Sequence, residues 1–326
     1  MAKLILKSIL FVLVVASILA LLIGLFPQSI FIEDYAIHMF QRDIFTGKKA
    51  IGVPDILIIG DSEPMTGIIP DSLDGEIRLM CVPGAVFPML YYMLSDFVEN
   101  VGAPDTLLLF ISPYHLEGHS TFWQEAVKYK FFDYSRFDEI LSRIRSADDH
   151  ALGNPKISRF KLIGHWINCP YFYIAEIQNS LFMRAGANAQ TYAFLDSTRG
   201  YLAREKADVE DMLNFEATDD KFSPSQVLDE YLRELFDLCR DEGIHVIFTQ
   251  MPMNESSVDA LDSNYLRDFR NYIHRLKADY PRFDIDGDII AFPDSLFADP
   301  AHLDVCGALR FTNIIQNRRA AAGTTN

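Results

Sequence analysis

Residues 55–62 read Asp-Ile-Leu-Ile-Ile-Gly-Asp-Ser. The four apolar residues Ile56 to Ile59 make a short run of the buried-strand type. The run stops at Gly60-Asp61-Ser62. A buried strand that ends there puts Ser62 on the sharp turn where the next helix begins. Its hydroxyl is then exposed, and its backbone N–H points outward near the positive end of the helix. That is a nucleophile's position, although the same tripeptide is also ordinary turn and cap chemistry. The weight comes from the far end of the chain. There Asp299-Pro300-Ala301-His302-Leu303 stands just before a final apolar helix, where a base and its orienting carboxylate are wanted.

Strands and helices alternate outward from this stretch. Glu76–Val82 reads as a second strand ending at Pro83-Gly84, and Val86–Val101 as a helix with Phe87, Leu90, Tyr91, Leu94 and Phe97 on one face. Thr106–Ser112 (TLLLFIS) is a near-continuous apolar strand. The alternation resumes with a helix over Pro224–Asp241, capped by Ser223, and a strand over His245–Met251. A helix over Asp262–Lys277, a weaker strand over Phe283–Ile290 and a closing helix over Ala301–Gln316 follow. This order predicts an α/β fold, a doubly wound parallel sheet of about five strands with right-handed crossovers. Sites in such sheets lie at the carboxyl ends of strands. Ser62, Gly84, Ser112 and His302 each follow a predicted strand.

The stretch 117–222 breaks the pattern. It is rich in aromatics and helical in tone, with charged helix faces expected around Ser135–Arg145 and Ala203–Leu213, and it reads as a helical insertion. Most of its aromatics are read as packing residues, with a minority free to line a cleft or touch a membrane or partner. The α/β domain is then 54–116 and 223–326. Ahead of it lie a connector at 27–53 and a transmembrane helix within 1–26. Ser8 to Phe26 carries no charge, and Lys3 and Lys7 precede it. About 20 apolar residues span a bilayer, and the flanking lysines favour the cytoplasmic side. An uncleaved single-pass anchor is favoured over a signal peptide, with the main domain periplasmic or extracellular.

The net charge of -16 speaks against nucleic acid, whose phosphates would be repelled. The four cysteines, Cys81, Cys169, Cys239 and Cys306, show no metal-ligand spacing, and a disulfide and buried thiols stand as equal alternatives. No metal or cofactor is expected.

The chemistry that these residues suit is acyl transfer through a serine ester. A serine hydroxyl needs a base, and the base needs a group that fixes its tautomer. Ser62 would attack, His302 would take its proton, and Asp299 would hold the other imidazole nitrogen. Ser62 N–H and Gly84 N–H are the natural oxyanion donors. Ser112 is the nearest candidate for a third, with His115 or His119 able to reach in, and Asp61 would brace the turn.

With these residues in view, the chain resembles the SGNH (GDSL-type) hydrolase superfamily. Gly60-Asp61-Ser62 matches its first block, Gly84 its second, and Asp299 with His302 its last. The third block normally presents an oxyanion asparagine, and here the strand runs into Ser112-Pro113-Tyr114-His115. The resemblance covers Pro54–Tyr114 and about Pro224–Asn326. An anchor with a divergent third block is similar to the SGNH-like proteins that work beside membrane-bound O-acyltransferases, among them those of alginate acetylation and of D-alanine transfer to teichoic acid. The resemblance implies a serine O-acyltransferase or esterase acting on a cell-surface polysaccharide, with a multi-spanning O-acyltransferase as partner. A catalytically degenerate SGNH fold serving binding or assembly is the alternative.

Overall fold

The computed structural model describes residues 1–326 except 32, 33, 119, 120, 124, 210, 215, 216, 218 and 324–326. Before the first strand come helices α1 (Ala2–Leu25), α2 (Pro27–Ile30) and α3 (Tyr35–Phe45). Then follow β1 (Ile56–Gly60), α4 (Ser62–Gly67), β2 (Ile77–Cys81), α5 (Phe87–Asn100) and β3 (Thr106–Ile111). Helices α6 (Tyr134–Ser146), α7 (Pro155–Trp166), α8 (Ile174–Ser180) and α9 (Ala185–Ser197) fill the middle of the chain. The remainder is α10 (Gln226–Asp241), β4 (His245–Gln250), β5 (Met253–Asn254), α11 (Glu255–Ala260), α12 (Ser263–Asp279), β6 (Asp284–Ile285), β7 (Ala291–Phe292) and α13 (Val305–Gly323).

Five strands form one parallel sheet in the order β2-β1-β3-β4-β6. Parallel strands need long crossovers, and the crossing helices cover the sheet, so its strands are apolar along their length. All five residues of β1 are buried. Alternate side chains along a strand face opposite ways. Phe248 of β4 turns to α10, where its ring lies 5.7 Å from that of Phe236. Phe110 of β3 turns to the other face, 5.8 Å from Phe311 of α13. From β1 the chain steps out to β2, then returns past β1 to form β3. The strand order thus reverses beside β1, and the crevice at its carboxyl end is where such sheets hold ligands.

Several boundaries differ from expectation. The last strand of the sheet is two residues long, because the chain leaves the edge at Asp286 and lends Ala291–Phe292 to a separate two-stranded pairing with β5. Residues 203–209 and 211–214 are loop, not helix. Their backbone bonds elsewhere, as Ala207 N–H does to the Ala298 carbonyl at 2.8 Å. The cap of α10 is Ser225, whose Oγ accepts from Leu228 N–H, while Ser223 N–H donates to Glu117. The final helix starts at Val305, four residues later than expected, because Asp299 to Asp304 form a tight turn. All four cysteines are free thiols.

The helix α1 is long and apolar enough to cross a membrane, with a mean hydropathy of 3.0 over its most apolar 18 residues, and nearly all of it is exposed. Ile23, near its end, is buried with Ile30, Phe31, Tyr35, Tyr129 and Tyr173 in a small core apart from the main one.

Candidate active site

The turn after β1 is shaped by side chains on both sides of Ser62. Asp61 caps α4, its Oδ1 accepting from Glu63 N–H at 2.9 Å. Gly60 has no room for more, since a Cβ there would stand 2.5 Å from Pro64 Cγ and 3.0 Å from the Phe110 carbonyl. These constraints hold Ser62 half-buried at the first position of α4.

The far segment reaches the same place. His302 Nε2 lies 2.8 Å from Ser62 Oγ, and His302 Nδ1 lies 2.7 and 2.9 Å from the two Asp299 oxygens. With Nδ1–H donating to the carboxylate, Nε2 is left to accept the Ser62 proton. Asp299 Oδ1 also accepts from Ala301 N–H at 3.0 Å and His302 N–H at 2.9 Å, so one carboxylate sets both the turn and the ring. Burial opposes the Asp299 charge. The hydrogen bond and charge of His302, with the two backbone donors, outweigh it and hold the carboxyl well below its ordinary range.

Gly84 follows β2 with φ +62°, a left-handed conformation that favours glycine. Among the described residues, no hydrogen bond engages the backbone N–H of Gly84 or of Ser62.

Behind Ser62 lies a buried polar cluster. His115 Nδ1 lies 3.2 Å from both the backbone N and the carbonyl O of Ser112, and its Nε2–H donates to Asp61 Oδ2 at 2.7 Å. The Ser112 hydroxyl donates to Glu63 Oε2 at 2.5 Å. All four side chains are buried. Burial pushes the Asp61 carboxyl up, but the charge and hydrogen bond of His115 pull it down further, and its net shift is downward.

The structure therefore brings Ser62, His302 and Asp299 into contact. It sets Asp61, Ser112 and His115 behind the turn, where the Ser112 hydroxyl is committed to Glu63 and His115 to Asp61. His119 lies outside the described residues. Three contributors escaped sequence reasoning. Arg204 Nε donates to Asp299 Oδ2 at 3.1 Å, from the segment expected to be a charged helix face. Asn254 Nδ2 donates to the Met212 and Pro300 carbonyls, both at 2.8 Å, and so fixes the Asp299–His302 turn. Glu63 directly follows the serine. A carboxylate on the buried side of that turn needs a donor, and the only sequence signal was its adjacency. A cavity of about 680 Å³ lies on the sheet face beside α13, lined by Phe110, Ile247, Thr249 and Phe311 among others, and it does not include the Ser62 contact.

A protein-family model that carries no functional description matches residues 208–321, the segment holding β4, β6, Asp299 and His302. No curated protein matches the chain.

Proposed function

We propose that the chain is a membrane-anchored, extracytoplasmic serine O-acyltransferase or acylesterase of SGNH type, acting on acyl groups of a cell-surface polysaccharide. The reading is carried by one observation, the unbroken relay from Ser62 Oγ through His302 to Asp299 at 2.8 and 2.7 Å. Ser62 Oγ attacks the acyl carbonyl carbon as His302 Nε2 takes its proton. The oxyanion forms towards the N–H groups of Ser62 and Gly84, and Asp299 stabilises the imidazolium. Collapse expels the donor oxygen, which leaves with the proton held by His302. A sugar hydroxyl or water then attacks the Ser62 ester, gives its proton to His302, and the serine is restored.

The five-stranded parallel sheet supports the SGNH-type winding, with residues 117–222 as its helical insertion. The apolar helix α1 supports the anchor, with its lysines on the cytoplasmic side. A multi-spanning O-acyltransferase that delivers the acyl group is the partner this reading entails. A fluorophosphonate probe should label the full chain at Ser62 and leave Ser62→Ala unlabelled. Equal labelling of Ser62→Ala overturns the reading.

One observation favours a second reading, a degenerate fold used in assembly. The Ser112 hydroxyl, at the place of an oxyanion donor, is given to the Glu63 carboxylate. In that case Ser62→Ala leaves surface acylation in cells intact.

A further inference from the structure

The exposed apolar surface of this molecule is unevenly distributed. Outside residues 1–26, and among the described residues, nine of the fourteen exposed large apolar side chains fall between Phe160 and Phe194. On α7 and its exit, Phe160, Ile163 and Ile167 repeat at three- and four-residue spacing along one exposed stripe, while Leu162 and His165 face inward. Beyond it stand Tyr171, Leu181 and Met183. Phe160 is 72% exposed, Tyr171 75% and Met183 82%. Isolated exposed apolar side chains need no explanation, but a contiguous patch marks an interaction surface.

Charge separates this patch from the rest of the chain. Residues 151–195 carry Lys156, Arg159, Lys161 and Arg184 against one acid in that stretch, Glu176, in a protein of net charge -16, and Asp138 of α6 lies 3.6 Å from Arg159. Glu176 is itself buried and paired with Lys128. Lys128, Lys161 and Lys130 stand close enough to His165 that, added to its burial, they lower its pKa to about 4.

The patch also adjoins the end of α1. A Cβ at Gly24 would lie 2.7 Å from Asn168 Nδ2, so the helix end and the α7 exit pack closely. The Phe31 ring lies 5.5 Å from that of Tyr173 at a tilt of 47°, and Asn188 Nδ2 donates to the Gln28 and Phe31 carbonyls at 2.7 and 2.9 Å. Where α1 leaves the bilayer, this face is the one beside it.

We infer that α7, the Pro170–Tyr173 turn and α8 with its exit form a second membrane contact, which lies in the interface of an anionic lipid bilayer. Apolar side chains on one surface, basic residues near them and an adjacent spanning helix are what an interfacial segment requires. Tyr171 suits the headgroup level, where amphipathic rings concentrate. The contact fixes the tilt of the body over the membrane, which a lone helix ending at Leu25 leaves free. It is independent of the acyl-transfer reading and shares with it only the anchor.

The test uses the full chain in nanodiscs of phosphatidylcholine with 30% phosphatidylglycerol, about a third anionic so that basic residues are attracted. Tryptophans are introduced singly and quenched with brominated phospholipid, relative to the parent protein. Tyr171→Trp and Met183→Trp should be quenched several-fold more than Leu309→Trp, an exposed position on α13. Val14→Trp reports on insertion of α1 separately. Removing the anionic lipid, or adding Arg159→Glu with Lys161→Glu, should reduce the quenching at 171 and 183 to near that at 309. Quenching at 171 and 183 no greater than at 309 overturns the inference. If Val14→Trp is still quenched, the anchor stands and the face is one for a protein. If Val14→Trp is not quenched, the anchor fails too.

Discussion

Ser62 Oγ and His302 Nε2 lie 2.8 Å apart although 240 positions separate them. The contact depends on a turn that Asp299 organises, since the same carboxylate holds the His302 ring and two backbone N–H groups. Asp299→Asn should therefore cost more than a charge. An amide that turns its NH₂ towards Nδ1 selects the wrong tautomer, and the expected fall in turnover is roughly 10⁴-fold, similar to that of His302→Gln. Arg204 is half-exposed, so Arg204→Ala should lower activity only a few-fold, in keeping with the weak worth of exposed ion pairs. Steady-state hydrolysis of an activated ester, with circular dichroism to show folding, measures all three. Loss by Arg204→Ala as large as by Asp299→Asn would contradict the hierarchy.

Gly84 presents its N–H from a left-handed conformation at φ +62°. An L-residue there is strained by roughly 1–2 kcal/mol. Gly84→Ala should lower stability by about that amount, and it should lower turnover by far more if the N–H is moved, since one oxyanion donor is worth about 10²–10³ in rate. Thermal unfolding alongside single-turnover acylation separates the two effects. A rate loss no larger than the stability change accounts for would remove Gly84 from the oxyanion site.

Much of this was legible in the sequence because it was local. The apolar runs at Ile56–Ile59, Leu107–Ile111 and Val246–Phe248 are strands in the sheet, since a strand buried on both faces admits little else. Helix α5 followed from its spacing, and α10 and α12 lie within two residues of their expected ranges. What failed was set by tertiary context. The charged segment after Ala203 has the composition of a helix, yet it runs as loop, because its groups are claimed by Ala298, Ser295 and Asp299. The edge strand shrank to Asp284–Ile285 because the chain turns off to pair with β5. At the site, the positions after strands could be read, but side-chain partners could not. That the Ser112 hydroxyl goes to Glu63 and His115 to Asp61 depends on neighbours 49 and 54 residues away.

The buried Asp61–His115 pair carries its own expectation. Removing one member leaves the other without its partner, a loss of roughly 3–5 kcal/mol for a buried pair. Asp61→Asn and His115→Leu should each destabilise strongly, and the double variant by much less than their sum. The Asp61 carboxyl is shifted downward in the fold, so its contribution is present above the unfolded value near 4 and is lost as pH falls below it. Asp61→Asn should accordingly flatten the stability profile below about pH 4. Urea titrations of the four proteins at pH 7 and at pH 3.5 decide the point. Additive losses would mean that the pair does not act as a unit.

Acid should weaken the fold well before the carboxylates are reached. His38 is wholly buried and donates from Nδ1 to the Asp34 carbonyl at 2.9 Å, and burial lowers its pKa to about 4. His165, lowered to about 4 by burial and by three nearby lysines, behaves alike. Both are bases whose folded pKa lies below the unfolded value of about 6.5. Between those values the unfolded chain binds protons that the folded chain refuses, so stability is full above pH 6.5 and falls as pH drops towards 4. A shift of this size corresponds to about 3 kcal/mol for each histidine, of which the Glu125 carboxylate, 3.9 Å from His38 Nε2, would recover a part once the ring is charged. The melting temperature of the full chain in detergent should decline steadily over that window. His38→Asn, which keeps a donor for Asp34, should halve the slope. An unchanged slope in that variant would show that another group carries the acid sensitivity.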